Sequence, residues 1–193
     1  MKLHDLVTDP SKLATYGKFI SPEEAYERLQ QGDTAPYLIK AIASDPKWAY
    51  EYAYNISKGR FPEGEKAIAS DPEWAYQYAR DIIKWRWPEA EKAIASDPYY
   101  AYAYARDIIK GRWPEGEKAI ASDSEYAYLY ERRRQGRFLE GEKAIASDSA
   151  WAYLYARHII KGRWPEGEKA IASSPYYANL YQGFLNGLNN ETT

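Results

Sequence analysis

Cysteine is absent from the chain, which excludes disulfides, thiolate nucleophiles and cysteine metal sites together and suits a cytoplasmic protein. Histidine is scarce: His4 and His158 lie far apart and lack carboxylates at metal-ligand spacing, so both are expected on the surface and no metal site is expected. No stretch of about 18 apolar residues occurs, and Met1-Lys-Leu-His-Asp-Leu-Val-Thr-Asp-Pro10 lacks the apolar core of a signal peptide, so no membrane association is expected. Net charge is also missing. With 26 Lys and Arg against 28 Asp and Glu, any basic site must be local, because no global field draws the molecule to nucleic acid or an anionic surface. A phosphate-cradling glycine loop, a nucleophile elbow and a dinucleotide fingerprint are lacking too, so the chain reads as non-enzymatic and without a cofactor.

What is present in excess is the aromatic side chain, with 20 Tyr and 7 Trp placed periodically. The period is set by Asp-Pro or its variants at Asp45-Pro46, Asp71-Pro72, Asp97-Pro98, Asp123-Ser124, Asp148-Ser149 and Ser174-Pro175, with spacings of 26, 26, 26, 25 and 26 residues. A fixed period of this size means stacked supersecondary units. Each unit reads as two helices. Phe61-Pro62-Glu63-Gly64-Glu65-Lys66-Ala67-Ile68-Ala69 begins with Pro and carries Glu at the positive end of the helix dipole. Asp71 then offers an N-cap oxygen, Pro72 takes the first helical position, and helical character runs to Lys84 before the Gly that closes most units.

On a helical wheel Trp74, Ala75, Tyr76, Tyr78, Ala79, Ile82 and Ile83 fill one arc of roughly 200°, a width that implies burial against more than one neighbour. Glu73, Gln77, Arg80, Asp81 and Lys84 fill the rest. Gly64, Gly116, Gly141 and Gly167 persist mid-helix at a cost of about 1 kcal/mol each against Ala, which calls for a close backbone or ring contact. The recurrent pairs such as Glu63 and Glu65, or Glu115 and Glu117, are expected to serve the helix dipole and surface pairing with Lys. The fold expected is all-α, an α-solenoid of two-helix repeats with polar end caps: an N-terminal cap over 1–35, helical-hairpin repeats over 36–173, and a capping helix with tail over 174–193. Ser21 and Glu24 form a capping-box pattern at the first end, while Phe184, Leu185 and Leu188 are available to cover the last repeat. A monomer follows from such ends.

The phrases Gly111-Arg112-Trp113-Pro114-Glu115-Gly116-Glu117-Lys118-Ala119-Ile120-Ala121 and Asp97-Pro98-Tyr99-Tyr100-Ala101-Tyr102 resemble short helical repeats of bacteriophage and bacterial proteins, over residues 36–181. In having a helix pair per unit the chain looks like a tetratricopeptide array, although that family's period and signature residues do not match. The resemblance implies a phage or prophage origin and no activity.

Function is expected where the repeats disagree. Two columns are read as pointing outward: Lys47, Glu73, Tyr99, Glu125, Ala150, Tyr176, and Glu51, Gln77, Ala103, Leu129, Leu154, Leu180. They lie near Arg80, Arg106 and Arg157, so the second column turns apolar along the array, a leucine stripe rimmed by Arg as in protein-binding patches, unless the array buries it. The unit with the 25-residue spacing ends Tyr130-Glu131-Arg132-Arg133-Arg134-Gln135-Gly136-Arg137 in place of Ala-Arg-Asp-Ile-Ile-Lys-Gly-Arg. Losing one residue and both Ile side chains is expected to weaken the local core, while Arg132, Arg133, Arg134 and Arg137 are the best anion-facing candidates. The leading expectation is a protein-binding module, with a host protein as partner, that uses these arginines, Arg106, Arg157, Leu129, Leu154, Leu180, Tyr99 and Tyr176. The alternatives are nucleic-acid binding through the Arg cluster and sequestration of a small anionic ligand.

Overall fold

A computed structural model describes residues 20–134 and 137–191, so His4, Gln135 and Gly136 lie outside the described residues. Among these the chain is all α-helical, with no strand and no helix long and apolar enough to cross a membrane. It divides into two compact units, one ending at Ile94 and the other beginning at Ala95.

In the first unit, α1 (Pro22–Gln30) and α2 (Pro36–Ile42) precede α3 (Pro46–Glu51), α4 (Pro62–Ile68), α5 (Pro72–Tyr78) and α6 (Pro88–Ile94). In the second, α7 (Pro98–Tyr104), α8 (Pro114–Ile120), α9 (Ser124–Arg134), α10 (Leu139–Ile145), α11 (Ser149–Tyr155) and α12 (Pro165–Ser173) are followed by the longer α13 (Pro175–Glu191). The Asp-Pro signal acts as expected: Asp71 Oδ1 accepts from the Glu73 and Trp74 N–H groups at 3.0 and 3.1 Å, and Asp45, Asp97, Asp123 and Asp148 repeat the bond. At the first end Ser21 Oγ accepts from the Glu24 N–H at 3.0 Å, half of the capping box.

Two features differ from the sequence reading. First, the tight hairpin is formed by the Asp-Pro helix and the helix after it, so α3 packs on α4, α7 on α8, α9 on α10 and α11 on α12. Second, most Asp-Pro helices finish in a π-helical segment: Tyr52–Ser57, Ala79–Ile83, Ala105–Ile109 and Ala156–Ile160. Its closing bond runs five residues back, as from the Lys84 N–H to the Ala79 carbonyl at 2.8 Å. The residue that turns left-handed to end it is Lys, not Gly, at Lys58, Lys84, Lys110 and Lys161, with φ between 52° and 57°. The following glycine instead donates its N–H, as Gly111 does to the Ala105 carbonyl at 3.2 Å.

The π segment explains the 25-residue unit. A π turn is an α-helix carrying one inserted residue. Tyr130 precedes Phe138 by one residue less than Tyr104 precedes Trp113, and α9 is α-helical through Arg134 with no π segment. The deletion coincides with the exchange of π for α, and α9 still packs on α10. Ring contacts at its base are kept, with Tyr130 against Phe138 at 5.2 Å and Tyr104 against Trp113 at 4.9 Å.

The core is a column of fully buried isoleucines, Ile42, Ile68 and Ile94 in one unit and Ile120, Ile145 and Ile171 in the other, each worth roughly 1.5–3 kcal/mol of burial. Ala75, Ala101, Ala127 and Ala152, all at zero exposure, set the close approach of the helices. The mid-helix glycines have the ring contact that their cost demands: a Cβ on Gly64 falls 2.5 Å from the Phe61 ring and 2.7 Å from the Ala49 methyl, and one on Gly141 falls 2.7 Å from the Phe138 ring. Gly64→Ala and Gly141→Ala are therefore expected to destabilise by about 1 kcal/mol, despite a similar gain in helix propensity. Urea denaturation of the two variants checks this, and a stabilised Gly141→Ala protein contradicts it.

Candidate functional site

The repeated helix pairs are tied together by a four-residue relay. The Tyr78 hydroxyl accepts from the Phe61 N–H at 2.7 Å and donates to Glu65 Oε1 at 2.9 Å, and Arg60 holds that carboxylate with two bonds of 2.8 Å. Trp113, Tyr130, Glu117 and Arg112 repeat it, as do Trp164, Tyr181, Glu168 and Arg163. The second Glu of each pair is therefore a partly buried structural anion, where the sequence suggested surface pairing with Lys. The arginine bond holds Glu65, Glu117 and Glu168 below the usual carboxylate range, and burial pushes the Tyr78 hydroxyl up to about 12. Because these carboxyl pKa values are depressed on folding, their contribution is present above the unfolded value and is lost as pH falls through the folded one.

The irregular unit adds a second carboxyl group to this relay. Glu131 stands where other units have Ala79, Ala105 and Ala156; it has zero exposure, and its Oε1 faces the Tyr155 hydroxyl at 2.9 Å. The same hydroxyl lies 2.7 Å from Glu142 Oε1, so one proton faces two carboxyl groups. Glu131 Oε2 has no hydrogen-bond partner among the described residues. Burial pushes the Glu131 carboxyl up, against the opposing effect of the Phe138 N–H and Tyr155. An acid whose pKa rises on folding takes up a proton, so ionising it costs stability as pH climbs from the unfolded value through the folded one, and the cost vanishes below both. Glu131→Gln is expected to be about 1–3 kcal/mol more stable than the parent near pH 8 and to lose that advantage near pH 4. Urea midpoints at the two pH values measure it; an advantage equal at both excludes ionised Glu131 as the cause.

Beside this unit is a groove of about 570 Å³ on which five cationic side chains converge. Arg106, Lys110 and Arg112 come from the end of one repeat, and Arg133 and Arg134 from the end of α9. Two acids answer them. Arg106 makes two bonds of 2.7 Å to Asp107, and Arg112 bonds Glu117 at 2.8 and 3.0 Å, with Arg134 at 3.4 Å from the same carboxylate. Arg133 gives one long bond, 3.4 Å, to the Arg106 carbonyl, and among the described residues neither it nor Lys110 has an ion pair. The rings in the groove are covered, since the Arg106 guanidinium lies 5.4 Å from the Tyr102 centroid and that of Arg134 5.1 Å from Tyr130.

The other candidates are dispersed. Arg132 is exposed, beside Tyr128 and His158, and Arg137 is tied to Glu142 at 2.7 Å. Arg157 donates to the Tyr153 hydroxyl at 2.7 Å, and His158 is exposed with Nδ1 at 2.8 Å from the Tyr128 hydroxyl. The outward leucine stripe is corrected: Ala103 is fully buried and Leu129 and Leu154 are half-buried, because Asp-Pro helices of successive repeats pack on one another along this column, which leaves Leu180 exposed at its end. Tyr99 and Tyr176 are exposed, each edge-on to its neighbour, Tyr100 and Tyr177. Sequence reasoning missed Tyr102, Lys110 and Arg112, which become neighbours of Arg133 only through repeat stacking. One signal was readable: the aligned column Asn55, Asp81, Asp107, Arg133, His158 reverses charge at Arg133.

Among the described residues no three His, Cys, Asp or Glu side chains gather as a metal site. No protein-family model, curated protein or solved structure matches the chain.

Proposed function

We propose that the chain is a non-catalytic binding module whose basic groove receives an acidic segment of a protein partner. The observation that carries this reading is the convergence of Arg106, Lys110, Arg112, Arg133 and Arg134 against Asp107 and Glu117, whereas the linker arginines Arg60 and Arg163 each face a carboxylate of their own. Such a local positive excess steers and orients an acidic segment without giving the molecule a global field. A protein segment suits the site better than nucleic acid because the faces of Tyr102 and Tyr130 are covered, so no open ring is offered for base stacking.

The test is fluorescence anisotropy with a labelled Glu- and Asp-rich peptide and with a single-stranded oligonucleotide of equal charge. Saturable peptide binding is expected, weakened about tenfold or more in an Arg133→Glu, Lys110→Gln double variant whose melting is unchanged. Peptide binding indifferent to both substitutions, or an oligonucleotide bound more tightly with a steep salt slope, overturns the reading.

A further inference from the structure

The repeats carry a second hydrogen bond that links one repeat to the next, and among the described residues it is missing at Tyr102. The Tyr26 hydroxyl accepts from Asn55 at 3.2 Å, the Tyr50 hydroxyl donates to Asp81 at 2.9 Å, and the Tyr128 hydroxyl meets His158 at 2.8 Å. Tyr102 is the corresponding tyrosine facing the irregular unit, and the residue aligned with Asp81 there is Arg133. Arginine cannot accept a hydrogen bond. Among the described residues the Tyr102 hydroxyl has no partner, although the side chain is only 9% exposed and lines the basic groove with Arg133 and Lys110.

We propose that the anion recognised by the groove is a phosphoryl dianion carried on a phosphorylated segment of the protein partner, with the Tyr102 hydroxyl, Arg133 and Lys110 as its donors. This rests on the reading of the groove as a docking site for an acidic segment, and names the group that the site selects. Two other repeats place an aspartate in this column, each paired with the arginine before it, as Asp81 pairs with Arg80 at 2.7 Å and Asp107 with Arg106 at 2.7 Å. Exchanging that acid for Arg133 changes the local charge by two, and a single carboxylate returns only half of it. A phosphomonoester carries about −1.5 to −2 charges and three acceptor oxygens, enough to serve a hydroxyl, a guanidinium and an ammonium together. The groove's roughly 570 Å³ leaves space for the residues that flank such a group. A phosphodiester chain needs a track of cations, and the equivalent linkers elsewhere are neutralised, Arg60 by Glu65 at 2.8 Å and Arg163 by Glu168 at 2.6 Å.

Anisotropy with three labelled peptides that differ only at a central residue, phosphoserine, glutamate or serine among flanking glutamates, tests the proposal on the whole chain. The phosphoserine peptide is expected to bind on the order of tenfold more tightly than the glutamate peptide, and phenyl phosphate to compete for it. Tyr102→Phe and Arg133→Asp are expected to remove this preference. Arg133→Asp restores the acid of a regular unit, so it should fold, and unchanged helicity and melting check that. If the glutamate and phosphoserine peptides bind equally, the proposal fails while the acidic-segment reading stands. If no peptide binds, both fail; if an oligonucleotide outcompetes the phosphopeptide, the site reads a phosphodiester and the proposal is overturned.

Discussion

Replacing Glu131-Arg132-Arg133-Arg134-Gln135 by Ala-Arg-Asp-Ile-Ile-Lys, which restores the 26-residue spacing, is expected to raise stability and to abolish acidic-peptide binding in a single step. The stability gain has two sources. A fully buried carboxyl with one oxygen lacking a partner is removed, worth about 1–3 kcal/mol. Two isoleucines return to sites like those of Ile108 and Ile109, which are half-buried, adding about 1 kcal/mol. The binding loss follows because Arg133 and Arg134 leave the groove and an aspartate enters it. Chemical denaturation and peptide titration of the same protein measure both. A repaired chain that is less stable, or that binds the peptide as well as the parent, contradicts the view that the irregular unit exchanges stability for a site.

The second large effect is expected from a single oxygen atom. Tyr130→Phe keeps the ring that packs on Phe138 at 5.2 Å but deletes the hydroxyl that accepts from the Trp113 N–H at 2.8 Å and donates to Glu117 at 3.1 Å. The buried N–H is left without its acceptor and Glu117 loses one of its donors, at a cost of about 2–3 kcal/mol. Tyr78→Phe should cost a similar amount, because Phe61 and Glu65 stand in the same relation to that hydroxyl. Denaturation midpoints decide the matter: losses under about 0.5 kcal/mol at both positions show that the relay is incidental to the fold.

Much of the fold was legible in the chain because repeats report local physics several times over. The Asp-Pro caps, the alanines of close approach and the inward tyrosines follow from capping chemistry and helical periodicity, both of which act within a few residues. The relay was not legible, since Phe61 and Tyr78, or Glu65 and Tyr78, meet only when one hairpin stacks on the next. Nor was the π segment, because an α-helix and a π turn share composition and differ only in which carbonyl each N–H reaches. The site was half legible. Arg133 and Arg134 stood out as a broken rule, whereas Lys110, Arg112 and Tyr102 belong to a regular unit and become notable only by facing them. The leucine column misled because a wheel drawn for one helix does not show the next helix lying along its outer face.

The central claim is that the one unit that departs from the repeat, together with the linker it faces, forms the binding surface. Backbone amide shifts recorded while the phosphoserine peptide is titrated into labelled protein address it directly. The account predicts perturbations concentrated at Tyr102, Arg106 to Arg112 and Tyr130 to Arg134. Shifts of equal size at the linkers Lys58 to Phe61 and Lys161 to Trp164 would contradict it.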